Sequence, residues 1–288
     1  STLMRSSAAS DVYKRQVVEG LVQYANFSVT DAETIMSMLS TWGAKFNMIV
    51  LSISTGIIIS LIPNLTTSVV KKDYDDINHK INQAFSILLF FTLPMTLGIS
   101  FLADSIWTVF YGTSEYGPSV LSYFIFVGFM IGLFTSTVSI IQVLKDYKTV
   151  IWSLVIGVVL KFLLNDNLIM AFYKMGLPAY YGVITASLIG YFVSFMICIM
   201  RLKFKYKINY ENLTKNLIDT ICGSMLMIVG LFLVNLILPS TDSRIIHLVY
   251  IVIYVAVGAL IYIVYMWNTK SMKRIFGNRL NYWIKKKK

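Results

Sequence analysis

SVLSYFIFVGFMIGLFTSTVSIIQV, residues 119–143, runs for 25 residues without one charged side chain. A bilayer core about 30 Å thick needs roughly 20 apolar residues of helix to cross it. This stretch meets that length and is continuous rather than alternating, which predicts a membrane-spanning helix and excludes a barrel strand. Working outward, six further segments have the same character: 42–65, 82–103, 148–172, 178–200, 215–238 and 245–267. The expected fold is therefore all-α, a polytopic bundle of about seven transmembrane helices. Composition agrees. Of 288 residues, 57% are hydrophobic and only 14% charged, whereas soluble domains carry about 25% charged residues.

The net charge of +11 suggests nucleic acid in a soluble protein, but here its distribution gives it another meaning. Lys71, Lys72 and Lys80 follow the first span, Lys145 and Lys148 the third, and Arg201, Lys203, Lys205, Lys207 and Lys215 the fifth. The tail after the seventh span adds eight more basic residues and no acid. The intervening connections hold only Lys174 and Arg244. Short cytoplasmic loops are enriched in Lys and Arg, so the basic side, with the C-terminus, is expected in the cytoplasm. Membrane lipids, not nucleic acid, are the partners this basicity implies.

Little else points to enzyme chemistry. Cys198 and Cys222 lie in apolar runs, and His79 and His247 fall near helix ends, so neither a metal nor a cofactor is expected. Phosphate-binding glycine loops and hydrolase motifs are missing from the sequence. Ionisable groups inside spans are costly and are functional candidates by default. Lys161 lies mid-span, with Asn165 one turn on and Asp166 beside it. Lys45 enters the first span below Trp42, with Asn47 nearby. These five residues are the candidate lining of a polar cavity, against the plainer readings of an interhelical lock for Lys161 and a snorkelling chain for Lys45. Pro94 and Gly98 in the second span are candidates for a kink or gate. Asp219 is expected to pair with Lys215 at i−4.

The organisation is expected as follows. Residues 1–16 are polar and resemble translated adapter sequence, foreign to the native chain. Residues 17–41 are an extracytoplasmic segment holding the remnant of a preceding helix. Residues 42–200 and 201–267 carry five and two spans, and 268–288 form a basic cytoplasmic tail.

The run STGIIISLIPNLTTSVVKKDYDDINHKINQAFSILLFFTLPMTLGISFLADSIWTVFYG, residues 54–112, resembles the polysaccharide-export flippases of the multidrug/oligosaccharidyl-lipid/polysaccharide exporter superfamily. The carriers are the small-residue helix ending in IPNL, the basic loop, the long helix with Pro94 and the aromatic-glycine pair Tyr111-Gly112. DYKTVIWSLVIGVVLKFLLNDNLI, residues 146–169, is similar to a later helix of the same family, with Thr149 or Val150 in place of the usual proline. The resemblance is nearest to the stage V sporulation protein B and Gram-positive lipid II flippase types. It implies that the seven spans are helices eight to fourteen of a fourteen-helix transporter, its second lobe. It also implies that spans one, three and four face a central cavity, and that Lys45 stands near an arginine of the lipid II type. The implied cargo is an undecaprenyl-pyrophosphate-linked saccharide, the implied partners cell-wall or polysaccharide assembly enzymes, and the last two spans a groove for the lipid tail. A multidrug cation antiporter and a non-transporting membrane scaffold are the alternatives.

Overall fold

The computed structural model describes the backbone of residues 2–239 and 243–277, with side chains from residue 11 onward. Among the described residues regular structure is entirely helical. The chain begins with α1 (Thr2–Ala25) and α2 (Val29–Ser37), and a π-helical turn, Met38–Trp42, joins α2 to α3 (Gly43–Lys71). Next come α4 (Tyr74–Phe101), the short α5 (Ala103–Tyr111), α6 (Gly117–Val143), α7 (Tyr147–Lys174) and α8 (Tyr180–Lys205). The chain closes with α9 (Glu211–Ile237), α10 (Arg244–Asn268) and the single-turn α11 (Ser271–Phe276). Seven helical runs are long and apolar enough to cross a membrane, and each contains most of one span expected from the sequence.

The first run differs from expectation in length. α2, the π-turn and α3 form one helical stretch over Val29–Lys71, 43 residues long. The helix starts at Val29, ahead of residue 42, after which its apolar content rises. The boundary expected at residue 16 falls inside α1, which continues without a break to Ala25. The connection after Phe101 is not a plain loop, because α5 folds there with Trp107 fully buried. Residues 278–288 of the expected tail lie outside the described residues.

Helix ends follow local chemistry. Ser28 caps α2 by accepting from the Asp31 amide at 3.0 Å, and Asp73 caps α4 through the Asp76 amide at 3.0 Å. Both place acidic residues in a first turn, where the helix dipole favours them. α3 ends where Lys72 turns to φ 56°.

Small residues set the packing. α6 is central and packs on α3, α4, α5 and α8, while α7 lies on the far side of α8. The α7–α8 contact is the tightest. A Cβ on Gly157 would lie 2.6 Å from the Gly190 carbonyl oxygen, and one on Gly190 would lie 2.7 Å from that of Gly157. Beside them Ser194 Oγ donates to the Ser153 carbonyl at 2.8 Å. Lipid tails are as apolar as leucine, so close backbone approach and such hydrogen bonds hold helices together where hydrophobic burial cannot. α9 and α10 pair with each other and lean on α4, where Asn216 Nδ2 donates to Ser86 Oγ at 2.9 Å.

Pro94 sits inside α4 and is buried. Its ring has no N–H, which leaves the Phe90 carbonyl, four residues earlier, without a helical donor. The Tyr262 hydroxyl of α10 donates to that oxygen at 2.9 Å. The proline therefore fastens α10 to α4.

At the basic end, Asp146 lies buried in the α6–α7 connection. Its Oδ2 accepts from Arg201 Nε and Lys205 Nζ of α8, each at 2.9 Å. Burial acts to raise its pKa, but the hydrogen bonds from Lys205 and Arg201 outweigh that and hold the carboxyl well below the usual range. The expected Asp219–Lys215 pair does not form. Asp219 instead binds Arg274 and Ser271 of α11, and Lys215 faces Glu211 at 3.6 Å. One turn of helix spaces i and i−4 for pairing, but the fold brings α11 closer than sequence spacing could indicate.

Tyr262→Phe leaves the Phe90 carbonyl unsatisfied and is expected to cost about 1 kcal/mol, read as a lowered Tm of the detergent-solubilised chain. An unchanged Tm rejects the bridge. Asp146→Asn strands two half-exposed cations, and a loss of about 1–2 kcal/mol is expected at pH 7. A depressed carboxylate stabilises above its unfolded pKa, and this contribution is lost as pH falls through the folded one. The gap between native chain and Asp146→Asn should therefore stay constant from pH 8 to about pH 5 and narrow only in strong acid; narrowing already near neutrality contradicts the assignment.

Candidate functional site

The candidate residues occupy two walls. On α3 one face is buried against α6 and the opposite face is open. Lys45, Ser52, Thr55 and Ser60 lie on the open side and are exposed. About two helical turns separate Lys45 from Ser52, which keeps these two in line. The serine and threonine hydroxyls bond back to their own helix, as Ser52 does to the Met48 carbonyl at 2.6 Å and Thr55 to that of Leu51 at 2.8 Å. Lys45 forms no ion pair among the described residues. Asn47 stands elsewhere. It is buried in the α3–α6 seam, where a Cβ on Gly128 would come 2.7 Å from its Oδ1. That Oδ1 has no hydrogen-bond partner among the described residues.

The second wall is α7. The Lys161 ammonium lies 3.8 Å above the ring of Tyr13 from α1, a cation–π contact. It borders a groove of about 260 Å³ between α7 and α8, lined also by Leu154, Gly157, Ser187 and Ser194. Asn165 is fully buried and donates from Nδ2 to Asp166 Oδ1 at 3.2 Å. The same Asp166 oxygen accepts from Gln16 Nε2 at 3.3 Å, and Gln16 also reaches the Phe162 carbonyl at 3.1 Å. α1 thus supplies the polar partners of α7. Tyr13 and Gln16 both belong to the stretch expected to be foreign to the native chain, so a reading of the residues alone gave them no role. Asn165 Oδ1 has no partner among the described residues.

Lys45 and Lys161 are not brought together. α3 packs on α6, α6 on α8, and α8 on α7, so the two cations stand on different helices separated by the bundle's central layers. Lys161, Asn165 and Asp166 do form one cluster.

Pro94 and Gly98 line a third feature. An apolar groove of about 360 Å³ runs between α4, α9 and α10, with Phe91, Met227, Leu231 and Val255 among its walls. A Cβ on Gly98 would meet nothing within 4 Å, so Gly98 borders open space. Tyr262, which bridges to Phe90, also borders this groove. Sequence reasoning missed Tyr262, although a mid-helix proline always signals a carbonyl that needs a donor.

Comparison with known proteins matches this architecture. The family model described as "Lipid II flippase MurJ" covers residues 45–255. The lipid II flippase MurJ of Bacillus subtilis (strain 168) is 29% identical over 257 residues, which are 86% of this chain and 46% of that protein. The chain thus spans about half the length of the curated relative it matches. On a match over residues 45–255, well over half of the chain, the chain belongs to the lipid II flippase MurJ family.

Proposed function

We propose that this chain is the second lobe of a fourteen-helix flippase that moves an undecaprenyl-pyrophosphate-linked saccharide across the bacterial cytoplasmic membrane. The carrying observation is the open face of α3, where Lys45, with no ion pair among the described residues, is in line with exposed Ser52 while the opposite face is buried against α6. A cation without a carboxylate inside an apolar lobe is costly unless it meets water or an anion. The relative from Bacillus subtilis is named for lipid II, whose pyrophosphate is such an anion.

In this reading the open face of α3 and the polar cluster of α7 are two separate walls offered to the headgroup. Lys45 attracts the pyrophosphate as a compact point charge, without the two-pronged geometry of arginine. Lys161, with Asn165 and Asp166, forms the polar part of the other wall, and Asn47 supports α3 from behind. The prenyl chain stays in an apolar environment, for which the groove bordered by Pro94 and Gly98 has suitable walls. Alternating access then follows from rocking this lobe against its counterpart. The basic connections and C-terminus face the cytoplasm by the positive-inside rule, where cell-wall assembly enzymes make the substrate.

The test is complementation of a flippase-deficient strain by the full-length protein. Losing a charge-assisted hydrogen bond costs about 1.5–3 kcal/mol, on the order of 10- to 100-fold in headgroup affinity. Lys45→Gln is expected to reduce complementation strongly, Lys45→Arg to retain it, and Lys161→Ala to abolish it. Normal growth of Lys45→Gln and Lys161→Ala at normal expression removes both residues from the substrate path.

A further inference from the structure

A third groove, of about 460 Å³, opens at the basic end of the lobe between the first turns of α7 and the last turns of α8. Its polar walls are Lys148, Arg201 and Lys205, and its apolar walls include Trp152, Met200 and Phe204. None of these residues belongs to the substrate path described above.

Three observations give the groove a chemistry. First, its charge is unbalanced. Buried Asp146 is the single carboxylate that Arg201 and Lys205 share, and Lys148 is exposed with no ion pair among the described residues. Three cations face one anion. Second, Arg201 spends only its Nε on Asp146. The two terminal amino groups of its guanidinium make no hydrogen bond among the described residues, and they form a planar fork that suits phosphate oxygens. Asp146 holds that fork in place from the buried side. Third, the walls running away from the cations are apolar and open: Trp152 is 64% exposed, Met200 55% and Phe204 73%. Tryptophan beside lysine and arginine at the end of a membrane span marks the headgroup level of a bilayer. Exposed apolar residues continue along α7 from there, through Ile151, Leu154 and Val155.

We propose that this groove binds an anionic phospholipid. The phosphate is held by the Arg201 fork with Lys148 and Lys205, and one acyl chain lies along Trp152, Met200 and Phe204. Basic pockets between spans on the side rich in Lys and Arg recognise acidic headgroups in this way. The arrangement favours a lipid over a free phosphate ion because the apolar walls are continuous with the cations and have no other occupant among the described residues. A lipid seated here also bridges α7 and α8 at the end where Asp146 ties the α6–α7 connection to α8.

Trp152 supplies its own reporter. The 288-residue chain in detergent micelles is titrated with phosphatidylglycerol or phosphatidylcholine carrying brominated acyl chains, and the quenching lost in Trp152→Phe is taken as the groove signal. Each cation near the surface contributes about fivefold to anionic lipid binding. Brominated phosphatidylglycerol should therefore quench at several-fold lower mole fraction than brominated phosphatidylcholine. Lys148→Gln, which breaks no ion pair, should reduce that preference about fivefold. Arg201→Lys, which keeps a charge for Asp146 but removes the fork, should also reduce it. Equal quenching by the two lipids, or a preference untouched by both substitutions, overturns the proposal. Displacement of the lipid by millimolar inorganic phosphate overturns it too, in favour of a free-phosphate site. Transport plays no part in the measurement, so its failure leaves the flippase reading standing.

Discussion

Hydrocarbon offers no partner to a backbone carbonyl or amide, and this constraint shapes every long element of the chain. Seven runs satisfy it by remaining helical from end to end. A buried break in one helix's own ladder shows how strict the requirement is. Pro94 removes a donor in the middle of α4, and the fold brings the Tyr262 hydroxyl from α10 to the orphaned Phe90 carbonyl. The bridge connects sites 172 residues apart and fastens α10 to the body of the bundle. The apolar groove between α4, α9 and α10 lies against that attachment.

The same solvent explains the seams. With little hydrophobic drive between helices, contact depends on close approach, which only small residues allow. Gly157 meets Gly190 backbone to backbone, and Gly128 receives Asn47. These seams decide which faces remain free. Because α3 presents Asn47 and Gly128-facing atoms to α6, its opposite face, with Lys45, is left open. Because α7 presents Gly157 to α8, its apolar flank is exposed and its polar residues Asn165 and Asp166 turn toward α1. Burial of one face and function of the other are thus two consequences of one packing choice.

Charged contacts concentrate at the ends, where water screens them and their geometry can be satisfied. Asp146 gathers Arg201 and Lys205, Asp219 gathers Arg274 and Ser271, and Asp76 holds Lys80 at 2.6 Å. The first two join a connection or helix end to a neighbour, and the third, within α4, reaches α3 through Ser68, which donates to Asp76 and accepts from Lys80, so the residues that mark the basic side also staple it. Arg201 serves in both roles, and its unused amino groups are what remain for a ligand.

Span number, approximate limits and the one-sided distribution of Lys and Arg were legible in the sequence, because they depend on hydropathy and charge summed along a single helix. So were Lys45, Lys161 and Pro94 as residues out of place in an apolar run. What those residues touch was not legible. Nothing local distinguishes Asn47, buried in a seam, from Lys45 two positions earlier on an open face; only the position of α6 does. Nor could i−4 spacing reveal that Asp219 pairs across to α11 rather than with Lys215. Periodicity along one helix is a local property, whereas the partner of a carbonyl, a carboxylate or a lysine depends on which helices pack together. That was decided in the tertiary structure by small residues meeting over sequence separations no local pattern records.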